Sequence, residues 1–224
     1  MKAKYNYPDL GIGIYTVPDI AMILKLPQHR IRFWLDELWN NRLKDQSGDK
    51  YSWGEGREKS TTFYTLIEFY TFYQLRINKI STAKILNAHR VISRQLNTQY
   101  PFASSTILTD GKRVFFSPDN LESIIHADES LQFTIAKIIQ EFCKKIDFNS
   151  NELAVRYWPL GKNKSVVVDP SHQFGQPTIK DSNILTETIF MLHKGGETNK
   201  FISKLYNLPI TSIIDAIQFY KQTA

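Results

Sequence analysis

Tyr15 to Trp39 reads "YTVPDIAMILKLPQHRIRFWLDELW". It is two short helical patterns separated by a Leu-Pro break. Thr16 can cap the first helix, and Pro18 and Asp19 are both favoured in a first turn. Ile20, Ala21, Ile23 and Leu24 then form an apolar stripe at helical spacing. Pro27 ends this helix and opens the next. There Ile31, Trp34, Leu35 and Leu38 recur at three and four residues and face a core. Gln28, His29, Arg30, Arg32 and Asp36 fall towards the other side. The stretch is either a helical hairpin that builds a core or a helix pair that reads DNA.

Charge bears on that choice. The chain has 224 residues, 42% hydrophobic and 13% aromatic, with a net charge of +6. That length suits one large domain or two small ones with a real core. Residues 1–100 carry 15 Lys/Arg against 9 Asp/Glu, and residues 101–224 carry 13 of each, so the whole excess lies in the first 100. No acid occurs from Phe69 through Thr109, while Arg76, Lys79, Lys84, Arg90 and Arg94 do. A one-sided basic field suits a phosphate backbone or an acidic partner. It also suits a solvated helix face.

The remaining chain reads as mainly helical. Asn40 to Thr62 is polar and Gly/Ser-rich, with apolar points at Leu43, Tyr51 and Trp53, and reads as a loop or short β-wing. Thr61 or Thr62 caps a third helix, "FYTLIEFYTFYQLRI", which Asn78 ends. Ser81 or Thr82 starts a fourth, with Ile85, Leu86, Val91 and Ile92 as candidate core. Tyr100-Pro101 breaks the pattern. Asp110-Gly111 signals a hairpin, and a helix is expected from about Asp119. Another is expected through "LQFTIAKIIQEFCKKI" (131–146). "AVRYWPL" and "SVVVDP" are strand candidates around the turn "GKNK". "FGQPTIKDSNI" is loop or short strand. "LTETIFMLHKGG" is a helix capped by Thr186 and stopped at Gly195-Gly196. The tail from Glu197 is a second helix–turn–helix pattern, broken at Leu208-Pro209. Ile179, Ile184, Ile189, Leu192, Phe201, Ile202, Leu205, Ile213, Ile214 and Ile217 suffice for a small helical core.

Catalytic patterns are missing. The histidines at 29, 89, 126, 172 and 193 make no HExxH or close pair. Gly11 to Gly13 is not followed by a dinucleotide fingerprint. Neither a GxxxxGK[ST] loop nor a GxSxG elbow occurs. Cys143, the one cysteine, sits in an apolar run and reads as a structural thiol rather than a nucleophile. No apolar run approaches the roughly 18–20 residues of a membrane span, and the N-terminus lacks an apolar signal region. The reading is a soluble, cytoplasmic, non-enzymatic protein without cofactor or metal.

In a helix–turn–helix the second helix enters the major groove by its N-terminal end. That places Gln28, His29 and Arg30 at the base edges, where Arg can pair with guanine and Gln with adenine. Arg32 points away from the core and can meet a phosphate, as can Arg57 and Lys59 from the wing. With Thr16 and Phe33 these form the expected DNA-facing set. Palindromic sites make a homodimer or higher homo-oligomer the default. The helix around Ile135, Ile138, Ile139 and Phe142 is one candidate seam.

"YTVPDIAMILKLPQHRIRFWLDE" resembles the MerR-type winged helix–turn–helix. Ile31-Arg32-Phe33-Trp34 matches that family's aliphatic–Arg–aromatic–Trp core. Phe33 stands where the family carries a tyrosine whose hydroxyl reaches the DNA backbone, and it lacks that hydroxyl. Over residues 12–222 the chain resembles the large VapB-type antitoxins more closely. The blocks that carry this are "YPFASSTILTDGKRVFF" and "VVVDPSHQFGQPTIKDSNILT". That resemblance implies a DNA-binding domain (12–100) and a C-terminal helical domain of the kind called domain of unknown function 433 (151–224); the hairpin and helical patterns between them read as a linker or dimerisation region (101–150). It implies a type II antitoxin that neutralises a PIN-domain ribonuclease toxin and represses its own operon. A plain MerR-like regulator, a regulator sensing a small ligand, and an adaptor that meets an acidic protein are the other expectations.

Overall fold

The computed structural model describes residues 12–44, 50–104, 143–151 and 153–221. It is mainly α-helical with small sheets. The expected hairpin at Asp110-Gly111, the helix from Asp119, residues 131–142 and the seam from Ile135 to Phe142 lie outside the described residues.

Helix α1 (Val17–Leu24) starts at a capping box. The Thr16 amide donates to Asp19 Oδ2 at 2.8 Å, and the Asp19 amide donates back to Thr16 Oγ1 at 3.3 Å. Two orphan donors at the helix start are thereby satisfied. The helix ends earlier than the Pro27 break suggests. Lys25 takes a left-handed conformation (φ 57°), its amide donates to Ala21, and Leu26 is buried beneath the turn. Helix α2 (Gln28–Phe33) then starts from Pro27.

Helix α2 runs without a break into wider π-type turns over Trp34–Arg42. The Leu43 amide reaches back five residues to Leu38 at 2.8 Å. In a regular α-helix Trp39 would sit about 140° around from Trp34. The wider winding brings both indoles to one side, and each packs edge-on against Phe69 and Phe72.

Three short strands follow the order β1 (Tyr15–Thr16), β3 (Ser60–Thr61), β2 (Ser52–Trp53), all antiparallel. Thr62 caps helix α3 (Phe63–Ile77), and Ser81 caps helix α4 (Thr82–Leu96). Helix α3 is the axis of the core, with Phe63, Leu66, Ile67, Phe69, Phe72 and Leu75 each at most 1% exposed. A short turn at Pro101–Ala103 closes over it.

The expected helix through Ile146 stops short, because Ile146 opens strand β4 (Ile146–Phe148). This strand pairs antiparallel with β5 (Ala154–Tyr157). The two strands expected around "GKNK" do meet: Tyr157 and Val168 exchange both backbone hydrogen bonds at 2.9 Å. Strand β6 (Val166–Val167) pairs mainly with β7 (Thr178–Ile179).

Three helices complete the described chain: α5 (Thr186–Lys194), α6 (Asn199–Tyr206) and α7 (Ile210–Lys221). Leu185, not Thr186, holds the cap position of α5. The Thr186 hydroxyl donates instead to the Pro177 carbonyl at 3.1 Å, locking the helix onto β7. Ile179, Ile189, Ile202, Ile213, Ala216 and Ile217 form the core between these helices. Phe201, Leu205 and Ile214, expected in that core, are 46–55% exposed. On α6 the inward residues are Ile202 and Tyr206, so Phe201 and Leu205 lie about 100° off that face.

The C-terminal segment seats directly on the N-terminal one. The Ile14 amide donates to the Phe174 carbonyl at 3.0 Å, and Phe219 at the end of α7 joins the main core. Gly175 has a positive φ of 88°, and its missing side chain is essential: a Cβ there would fall 2.0 Å from Tyr15 Oη.

Candidate nucleic-acid interface

The outer face of α2 is unusual for a helix so well anchored. Ile31 behind it is fully buried, as are Trp34, Leu35 and Leu38. In front, Gln28, His29, Arg30 and Arg32 are all exposed, and Phe33 is 51% exposed. None of these four polar side chains makes a hydrogen bond or ion pair with another described residue. A rigid backbone thus presents four uncommitted polar groups and one aromatic ring to solvent.

The loop between β2 and β3 stands beside this face. Gly54 and Gly56, with φ of 72° and 57°, turn the chain sharply, and Gly56–Glu58 forms a single tight turn. Arg57 at its tip is exposed and unpaired among the described residues. The Lys59 ammonium pairs with Asp36, one turn beyond Arg32. That pair ties the loop to the helix and leaves Lys59 only partly available to an outside anion. The Thr16 hydroxyl is likewise committed, donating to Asp19 at 2.6 Å. The structure therefore brings the loop up to α2, and it assigns Thr16 and Lys59 internal partners as well. Asp36 holds the loop, a role that spacing alone could not reveal because its partner lies 23 residues away.

A second copy of the turn sharpens the contrast. Thr198 caps α6 through the Phe201 amide at 3.1 Å. Asn207 is left-handed (φ 51°), and Leu208 donates to Ser203 at 3.0 Å just as Leu26 donates to Ala21 at 3.0 Å. Pro209 opens α7 as Pro27 opens α2, and Ile213 is buried as Ile31 is. Yet the outer face of α7 offers Ile210, Thr211 and Ile214 where α2 offers Gln28, His29 and Arg32. The two turns share a backbone, and only the first presents a basic, hydrogen-bonding face.

Other chemistry is scarce. Among the described residues no group of three or more His, Cys, Asp or Glu could hold a metal ion. No helix among them is long and apolar enough to cross a membrane. Burial pushes the Cys143 thiol up to about 12, which keeps it protonated and unreactive near neutral pH. Asp169 is partly desolvated, but hydrogen bonds from Ser171 and Arg156 hold its carboxyl below the usual range. Arg156 Nε lies 2.7 Å from Asp169 Oδ2. This is a structural clamp between β5 and the strand that follows it.

Comparison with known proteins bears on the fold. Residues 166–220 match the family model described as a protein of unknown function, DUF433. No curated protein matches the chain significantly. The crystal structure of Rv2018 from Mycobacterium tuberculosis superposes with a TM-score of 0.73 at 17% identity, covering 93% of this chain and 98% of that one. The chain is thus similar in fold to a mycobacterial protein, and its C-terminal quarter is similar to a family whose function is unknown.

Proposed function

We propose that the protein is a DNA-binding regulator whose N-terminal segment acts as a MerR-like winged helix–turn–helix. Helix α2 is the reading helix, and the loop from Gly54 to Lys59 is the wing. The observation that carries this reading is the uncommitted face of Gln28, His29, Arg30 and Arg32 on a fully buried backing of Ile31, Trp34 and Leu35. Long polar side chains lose conformational freedom when they bind, so a rigid backbone beneath them keeps that cost down. The net positive charge of the first 100 residues supplies the sequence-independent attraction.

Within this reading the chain is a type II antitoxin that represses its own operon as a homodimer and neutralises a PIN-domain toxin. The antitoxin assignment rests on the sequence resemblance to large VapB-type antitoxins. The two claims are tested separately. A gel shift with the protein's own promoter fragment tests DNA binding, and Arg30→Ala with Arg32→Ala should abolish the shift at physiological salt. Retention of wild-type binding by that variant would refute the site. Co-expression with the product of the neighbouring gene tests the partnership. A chain that shifts DNA but captures no neighbour is a plain regulator. One that binds no duplex even at about 50 mM salt, where phosphate contacts are strongest, is an adaptor.

A further inference from the structure

A cavity of about 190 Å³ lies where four separate parts of the chain meet. The end of α1 and its turn contribute Ile23, Leu24 and Lys25. Helix α3 contributes Tyr70, Tyr73 and Gln74, the β4–β5 hairpin contributes Lys145 and Tyr157, and α7 contributes Phe219. Its volume is below the roughly 300–1,000 Å³ of drug-sized ligand sites, so it suits a compact molecule.

The lining is lopsided in charge. Among the described residues two lysines line the cavity and no carboxylate does. Lys145 Nζ donates to the Pro159 carbonyl at 3.0 Å. Lys25 Nζ is removed from solvent and has no hydrogen-bond acceptor among the described residues. It sits 3.7 Å above the Phe219 ring, which faces one side of the ammonium and offers no lone pair. The left-handed turn at Lys25 sends this side chain inward, while its neighbours Gln28, His29 and Arg30 are exposed.

A desolvated ammonium without an acceptor is costly, and an incoming oxyanion would relieve that cost. The neighbouring phenols do not compete for it: burial pushes the Tyr70 and Tyr157 hydroxyls up, so both stay neutral. The walls are aromatic and aliphatic, which a bare inorganic ion would leave unused and a planar apolar body would fill.

We propose that this cavity binds a small carboxylate with a planar apolar body, its carboxylate held by Lys145 and by a Lys25 ammonium that swings off the Phe219 ring to meet it, and its body among Tyr70, Tyr73, Tyr157 and Phe219. The site joins the turn that leads into α2 to the last helix of the chain. Its consequence for DNA rests on the reading of α2 given above; occupancy does not.

The test is calorimetry on the full chain with three probes: benzoate, its neutral analogue benzamide, and inorganic phosphate. Benzoate should bind saturably, with benzamide and phosphate each at least about tenfold weaker, as expected for losing a charge-assisted hydrogen bond or the apolar contact. Lys25→Met should weaken benzoate by at least about tenfold. In parallel, the Lys25 side-chain amine and Cε resonances of isotope-labelled wild-type protein should move on benzoate addition, which decides the matter if the variant folds poorly. No saturable benzoate binding, equal binding of benzamide, or an unmoved Lys25 resonance would each overturn the proposal. A promoter gel shift with and without benzoate then reads coupling to DNA, and its failure leaves the binding result standing.

Discussion

Glu68 Oε2 lies 2.8 Å from His89 Nε2, with the two side chains 0% and 2% exposed. They come from neighbouring helices, α3 and α4. The other carboxylate oxygen of Glu68 accepts the Phe102 amide at 2.7 Å. His89 is enclosed edge-on by Trp39, Tyr51 and Phe102. One carboxylate therefore links both long helices and the turn at Pro101–Ala103. Removing one partner strands the other without solvent. His89→Ala should destabilise the fold by about 3–5 kcal/mol. Glu68→Gln keeps the shape and a polar partner, so it should cost less. Urea denaturation of the two variants checks both size and order. Equal midpoints for His89→Ala and wild type would show that the pair is dispensable.

Gly175 and Tyr15 make a second, steric contact, between the C-terminal and N-terminal segments. Gly175→Ala forces a left-handed φ of 88° on a residue with a Cβ, and that Cβ would sit 2.0 Å from Tyr15 Oη and 2.5 Å from Cζ. Strain and overpacking together should cost on the order of 2–4 kcal/mol. Tyr15→Phe removes only the hydroxyl, which has no hydrogen-bond partner among the described residues. It should be tolerated, and it should not rescue Gly175→Ala, because the ring carbons still clash. Thermal melts of the two single variants and the double variant test this. Full recovery in the double would mean that the hydroxyl alone set the contact.

Lys25 predicts a pH dependence of definite sign. Burial pushes its ammonium down to about 8 from an ordinary 10.5. Below pH 8 both folded and unfolded chains hold this proton, and the folded chain bears the full desolvation penalty. Between pH 8 and 10.5 the folded chain releases it first, so this group's contribution to stability rises with pH. Lys25→Met removes the penalty at every pH. Its melting temperature relative to wild type should therefore fall as pH goes from 8 to 10. Burial also depresses Lys145, which is present in both chains and cancels in the difference. A pH-independent difference would mean that the Lys25 ammonium is solvated as usual.

Most local signals in the sequence hold where the chemistry is local, Thr186 excepted, because Leu185 takes the cap position there. Thr16, Thr62, Ser81 and Asn78 stand where caps were expected, because a cap needs only its own next turn. The Ile31, Trp34, Leu35 and Leu38 stripe was readable for the same reason. Trp39 was not, since its burial depends on π-type winding that a 3.6-residue period cannot foresee. Phe201 and Leu205 misled because α6 carries apolar residues on adjacent faces, and only packing selects Ile202 and Tyr206. The Lys59–Asp36 pair, the Glu68–His89 pair and the cavity around Lys25 join residues 21 or more positions apart. No spacing rule links them. In the candidate interface, the exposed set on α2 and the local cap of Thr16 were legible, and the distant partner of Lys59 was not.

Arg30 and Arg32 differ in kind if α2 reads DNA, and salt dependence separates them. Arg30 lies in the first turn of α2 and is assigned a base edge. Arg32 follows the buried Ile31 and is assigned a phosphate. Each phosphate contact lowers the slope of log K against log salt by about 0.9. Arg32→Ala should then weaken binding to every duplex alike and reduce the slope by about 1. Arg30→Ala should lose about 1–3 kcal/mol of discrimination between promoter and random duplex, because a lost base contact costs only where the right base was present. Both side chains are exposed and unpaired among the described residues, so neither change should alter the melting temperature. Fluorescence anisotropy with the two duplexes across a salt series measures both quantities. If Arg32→Ala lost discrimination and Arg30→Ala only slope, α2 would lie in the groove rotated from the orientation assigned to it. If neither variant changed either quantity, the basic excess of the first 100 residues would have to act elsewhere, with Arg76, Lys79, Lys84 and Arg94 on and around α4 the exposed cations to substitute next.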